Sequence, residues 1–140
     1  MLDQSASILL VEDDRVDVMT VQRALKKNGA TNPLYVARTG LEALEMLRGH
    51  GRPKIDPPPA LILLDLNLPK MSGIEFLKEL RADRKLASLK IIVLTSSNEP
   101  RDREAAFHYE VEDYIVKPHS FDEFAKAIDI VLKYWEPEGD

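Results

Sequence analysis

Five short apolar runs, alternating with segments of helical periodicity, constrain this chain more than any other feature. Residues 7–11, Leu34–Ala37, 60–64, 90–94 and Asp113–Val116 are too short for helices and apolar enough to be strands, with 7–11 reading as buried on both faces and 60–64, the most apolar, as the middle strand of a parallel sheet. Between them apolar residues return at helical intervals: Val16, Met19, Val21 and Leu25 after Arg15, then Leu41, Ala43, Leu44, Met46 and Leu47 after the Thr39-Gly40 turn. Asn28-Gly29 supplies the first helix stop. Three more helices are expected from Gly73 to about Arg81, over 100–109 and over 121–135. Strands and helices in this strict alternation demand right-handed crossovers, which put helices on both faces of a parallel sheet. One segment breaks the rhythm. Residues 49–59 are so rich in Gly and Pro that neither a helix nor a central strand can run through them, and they are read as a loop.

Parallel sheets of this kind carry their sites at the carboxyl ends of the strands. The polar residues that stop the apolar runs stand at those ends: Glu12 and Asp13, Asp65, Thr95 and Lys117. They are expected to converge on one edge. Asp65 follows five apolar residues directly, so its carboxylate emerges into a partly desolvated position where it can act as a nucleophile. Glu12 and Asp13 add negative charge, and neighbouring carboxylates repel one another unless a cation joins them. Mg²⁺ suits such a site, because it takes oxygen ligands and is commonly held by one or two carboxylates with carbonyls and waters. The expected ligands are Asp13, Asp65 and the Asn67 carbonyl, with Glu12 acting through water. If Asp65 attacks a phosphoryl donor, charge spreads over the transferred oxygens, and Lys117 and the Thr95 hydroxyl are placed to stabilise it.

Composition narrows the function. A net charge of −5 without a Lys/Arg cluster argues against a nucleic-acid footprint. There is no Cys, which excludes disulfides and thiolate metal sites. No apolar run approaches the roughly 20 residues needed to span a bilayer, and a cytoplasmic protein without membrane contact is expected. His50, His108 and His119 show no metal spacing, so a donor histidine is assigned to another protein.

The segments Val11-Glu12-Asp13-Asp14, Leu63 through Gly73, Leu94-Thr95-Ser96 and Tyr114 through Pro118 resemble the motifs of response-regulator receiver domains, in receiver order. The resemblance covers nearly the whole chain. It implies a flavodoxin-like (βα)5 fold with strand order 2-1-3-4-5, a single domain over 1–140 with its core at about 7–135, and no output domain. It further implies that Asp65 is the phosphoacceptor, that a sensor histidine kinase is the donor, and that Mg²⁺ assists. Thr95 and Tyr114 would be the switch pair, the Tyr114 ring moving inward when Thr95 is drawn to the phosphate. A cis Lys117–Pro118 peptide bond would aim the ammonium inward. A narrower resemblance to stand-alone receivers of phytochrome kinases rests on Leu64 through Lys70, the long loop before the third strand, and Tyr134-Trp135. Two features depart from the common pattern: Glu12 stands where Asp is usual, and the loop is longer than in minimal receivers.

Other readings compete. Asp14 reads as a helix cap rather than a ligand. A haloacid-dehalogenase-type phosphatase would need an acid where Asn67 stands, and a pure interaction module would not need the full Asp13, Asp65, Thr95 and Lys117 set. The last helix places Phe124, Ile128, Val131 and Leu132 toward a core while Ala127, Ile130, Tyr134 and Trp135 widen its apolar face. A homodimer through helix four, strand five and helix five is therefore expected, with the Trp135 tail contributing.

Overall fold

The computed structural model describes residues 3–134. Its element order is β1 (Ile8–Val11), α1 (Arg15–Lys27), β2 (Leu34–Ala37), α2 (Gly40–Arg48), β3 (Leu61–Leu64), α3 (Gly73–Ala82), β4 (Ile91–Thr95), α4 (Pro100–His108), β5 (Asp113–Val116) and α5 (Phe121–Tyr134). All pairings are parallel and the strand order is β2-β1-β3-β4-β5. The flavodoxin-like topology is thus as expected, and the residues of 49–59 form no helix or strand. The tail that begins at Trp135 lies outside the described residues.

Successive residues of a strand point to opposite faces, and the continuous apolar runs exist because both faces are covered. Leu9, Val11, Ile62, Leu64, Ile91 and Val93 pack with Phe76, Leu77 and Leu80 of α3 and with Ala43, Leu44 and Leu47 of α2. Their neighbours Ile8, Leu10, Leu61, Leu63, Ile92 and Leu94 pack on the other side with Val21, Ala24 and Leu25 of α1 and Phe124, Ala125 and Ile128 of α5. The wide apolar face of the last helix is partly core: Phe124, Ile128 and Leu132 are buried, whereas Ile130 is 56% exposed.

Local chemistry sets the helix starts beside the strand ends. Asp14 caps α1, its Oδ1 accepting from the backbone N–H groups of Val16 (2.8 Å) and Asp17 (3.2 Å). Thr39 and Ser72 cap α2 and α3 through the N–H groups of Glu42 and Glu75. At the start of α3 only glycine fits: a Cβ on Gly73 would lie 2.6 Å from the Leu66 Cα and 2.8 Å from the Asp65 carbonyl oxygen. This close approach holds the loop after β3 against the helix, with the Gly73 N–H donating to the Leu66 carbonyl.

Candidate functional site

The ladders continue past the strands and fix the side chains that follow. The Asp65 N–H donates to the Val11 carbonyl, that of Glu12 to Ala37, and that of Lys117 to Thr95. Glu12, Asp65, Thr95 and Lys117 therefore meet at the carboxyl edge of the sheet, as the strand-end pattern predicts. Three of them are buried: Glu12 is 2% exposed, Asp65 6% and Thr95 0%.

Asp65 is held from both of its oxygens. Oδ1 accepts from the Thr95 hydroxyl (2.9 Å) and from the Asn67 N–H (3.0 Å), and Oδ2 accepts from the Lys117 Nζ (3.1 Å). The same ammonium donates to Glu12 Oε1 at 2.6 Å and to Asp17 Oδ2 at 2.8 Å. Burial raises the Glu12 carboxyl to about 7, against the bonding of Lys117, which lowers it. Burial works to lower Lys117, but its hydrogen bonds to Asp17 and Glu12 and the Asp65 charge outweigh that effect and raise it. Lys117 is thus a persistent cation whose charge three carboxylates share.

Two expected features sit elsewhere. Asp13 is exposed and does not join the cluster; the carboxylates within 4.8 Å of one another are those of Glu12, Asp17 and Asp65. The backbone after Glu12 leaves the sheet at once, so the next side chain turns to solvent, while one turn of α1 brings Asp17 back over the strand ends. Asp17 was legible only as an acid in the first turn of a helix, where it would ordinarily serve the dipole. The cis bond is likewise not at Pro118. Among the described residues it joins Asp56 to Pro57, and Lys117–Pro118 is trans. The isomers of an X-Pro bond differ by only about 0.5–1 kcal/mol intrinsically, so tertiary context chooses, and the ammonium reaches all three carboxylates with the bond trans.

Tyr114 is 5% exposed, and its hydroxyl donates to the Ser97 carbonyl at 2.9 Å. Its ring is inward, between β5 and the loop that follows Thr95, and burial raises its phenol above the usual range. The Arg103 guanidinium lies 5.5 Å from the ring centroid. The Ser97 N–H in turn faces the Thr95 hydroxyl at 3.3 Å, linking the aromatic to the Asp65 contact through two residues.

The donor set suits a hard divalent cation. Three carboxylates, two of them buried, stand within reach of one another beside one ammonium, which leaves uncompensated negative charge. Glu12, Asp17 and Asp65 are the residues that would hold it.

The family model for the response regulator receiver domain matches residues 8–129. The probable methanogenesis regulatory protein FilR2 of Methanothrix harundinacea is 35% identical over 131 residues, 91% of this chain and 82% of that protein. Response regulator Rcp1 of Synechocystis is 36% identical over 128 residues, covering 91% of this chain and 87% of the relative. In structure, the Mn²⁺-bound form of Rcp1 superposes with a TM-score of 0.85 at 33% identity, over 96% of this chain and 99% of that one. The phosphorylated cyanobacterial phytochrome response regulator RcpA gives 0.85 at 31% identity, over 96% and 99%.

Proposed function

This chain belongs to the response regulator receiver family, and on that basis we infer that Asp65 is its phosphoacceptor, charged by a sensor histidine kinase of the phytochrome class. Family membership itself implies a signalling protein phosphorylated on Asp, a divalent-metal site in an acidic pocket and a sensor kinase as partner. The observation that carries the assignment to Asp65 is its surroundings. It is a buried carboxylate at the end of the central strand, with a hydroxyl donor on one oxygen and an ammonium on the other.

In the reaction an Asp65 oxygen attacks phosphorus in line with the P–N bond of a phosphohistidine. A P–O bond forms, the P–N bond breaks, and its electron pair stays on the departing imidazole. Lys117 stands 3.1 Å from the nucleophile's carboxylate, so it can follow the transferred oxygens and balance their charge. The Thr95 hydroxyl changes acceptor from carboxylate to phosphoryl oxygen. Its movement draws on the loop that Tyr114 grips at Ser97, which couples the charge on Asp65 to the α4 and β5 surface. Mg²⁺, when bound, would neutralise phosphoryl charge at the same edge, with Glu12, Asp17 and Asp65 as its carboxylates and Asp13 at the rim. Asn67 fixes the Asp65 carboxylate through its N–H, and its carbonyl is the further oxygen that the cation would use. Water reaching the same centre would return the group as phosphate, the self-dephosphorylation expected of such a site.

The name of RcpA, a cyanobacterial phytochrome response regulator, supports a phytochrome kinase as donor. No helix among the described residues is long and apolar enough to cross a membrane, in keeping with a cytoplasmic site of action. Phe107 of α4, Val116 of β5 and Ile130 of α5 are exposed apolar residues on neighbouring elements, which supports homodimerisation through that face.

Treatment with a small-molecule phosphodonor and Mg²⁺, read by intact-protein mass, tests the assignment. A one-phosphoryl mass gain is expected in wild type and none in Asp65→Asn, whose circular dichroism should be native. Full labelling of a folded Asp65→Asn protein would remove the assignment.

A further inference from the structure

The long loop before β3 has no part in phosphoryl transfer, yet it is built into the fold. Ile55 is buried at 4% exposure and its N–H donates to the Met46 carbonyl at 3.0 Å. Arg52 pairs with Glu45 of α2 at 3.4 Å and with Glu42 at 3.9 Å. Gly49 makes the turn at φ +74, and a Cβ there would strike the Lys54 Cβ at 2.8 Å, so the loop folds back tightly on the end of α2.

This anchoring closes one wall of a cavity of about 370 Å³ between the loop, the end of α2 and the segment after α3. Helices of a parallel α/β fold run against the strands, so the ends of α2 and α3 lie at the amino edge of the sheet, away from Asp65. The buried Leu47 and Leu86 with Pro58 give the cavity an apolar side. Arg48, Lys54, Arg84 and Lys85 line the rest, against the single carboxylate of Asp83. That carboxylate is already occupied: it accepts from the Arg48 Nε at 3.1 Å and from the Lys85 N–H at 2.9 Å. Lys54 and Arg84 form no ion pair among the described residues. A concentration of unmatched cations around an apolar wall is out of character for a chain of net charge −5.

We propose that this cavity binds a phosphorylated small molecule with a planar ring, of the class of nucleoside diphosphates. Its volume falls in the range of small-molecule sites, roughly 300–1,000 Å³. The phosphates match the Lys54, Arg84 and Lys85 charges, for which planar or pointed donors to phosphate oxygens are the usual partners. The ring covers Leu47 and Leu86. Because the cavity and Asp65 occupy opposite edges of the sheet, the ligand does not compete for the phosphoacceptor.

The test is titration of the full ¹⁵N-labelled chain with ADP in metal-free buffer, followed by amide shifts, with Arg84→Ala/Lys85→Ala and Asp65→Asn beside wild type. Saturable shifts at Leu47, His50 and Leu86 are expected, weakened about tenfold or more in the double variant and by added salt, and unchanged in Asp65→Asn. Arg84 and Lys85 are exposed, so the double variant should keep a native spectrum. Absence of shifts at millimolar ADP, shifts confined to the Asp65 edge, or equal affinity in a folded double variant would overturn the proposal.

Discussion

Replacing Lys117 with Met removes the ammonium at the centre of the acidic edge while keeping most of the side chain's apolar stem. The ammonium lies 2.6 Å from Glu12, 2.8 Å from Asp17 and 3.1 Å from Asp65, and these two neighbours Glu12 and Asp65 are 2% and 7% exposed in their side chains. Without it, the carboxylate oxygens that lie within 4.8 Å of one another have no internal counter-charge. At an effective dielectric constant of about 20, two such charges repel by roughly 3.5 kcal/mol. The full pairwise sum is not reached, because Glu12, already raised to about 7, takes up a proton first. The net loss should then be about 3 kcal/mol near pH 7.5, in the range for stripping one partner from a buried ion pair. In a chain of this size that lowers Tm by roughly 10 °C. Denaturant unfolding with and without divalent cation at about pH 7.5 and about pH 5.5 provides the assay. Most of the deficit should vanish on acidification, and most should also vanish in millimolar Mg²⁺ or Mn²⁺. A variant as stable as wild type at pH 7.5, or one whose deficit ignores both acid and cation, would refute the account of the site as a carboxylate cluster held by one ammonium.

Glu12 makes the stability of wild type pH-dependent in a defined direction. Its folded pKa is raised, so its contribution is complete below the ordinary value of 4.5 and is lost as pH rises through about 7. Wild type in metal-free buffer should lose up to about 3 kcal/mol over that window, and Glu12→Gln should flatten the slope in pH-resolved urea titrations. Gly73→Ala forces a methyl against the Leu66 Cα and the Asp65 carbonyl, so a cost of about 1–3 kcal/mol and slower phosphoryl uptake are expected in paired unfolding and labelling assays. Arg81 donates to the carbonyls of Tyr109, Ala87, Leu89 and Glu110 and thereby ties the end of α3 to the turn before β5. Arg81→Ala should cost about 2–3 kcal/mol by chemical denaturation and speed hydrogen exchange in that turn, and exchange at the wild-type rate would contradict the tie.

The alternation of strands and helices, the caps at Asp14 and the Thr39-Gly40 turn, and the strand-end positions of Asp65, Thr95 and Lys117 were all readable in the sequence. Each depends on interactions within a few residues: an apolar run, a side-chain oxygen beside free N–H groups, a Gly or Pro that stops an element. The membership of the site was not local. Lys117 meets Asp17 across 100 positions of chain, and it is the packing of α1 against α5, beside the loop that carries Lys117, that turns a first-turn acid into part of the pocket while leaving Asp13 in solvent. The Lys117–Pro118 bond is trans because either isomer is intrinsically accessible and the surroundings choose. The burial of Tyr114 against Ser97 depends on how β5 registers with β4, beginning at Ile92 opposite Asp113. In the same way, the loop of 49–59 was legible as a loop and nothing more. Its basic cavity exists only because folding sets Lys54 beside Arg84 and Lys85, thirty residues away in sequence, and charge can be counted along a chain but concentrated only in three dimensions.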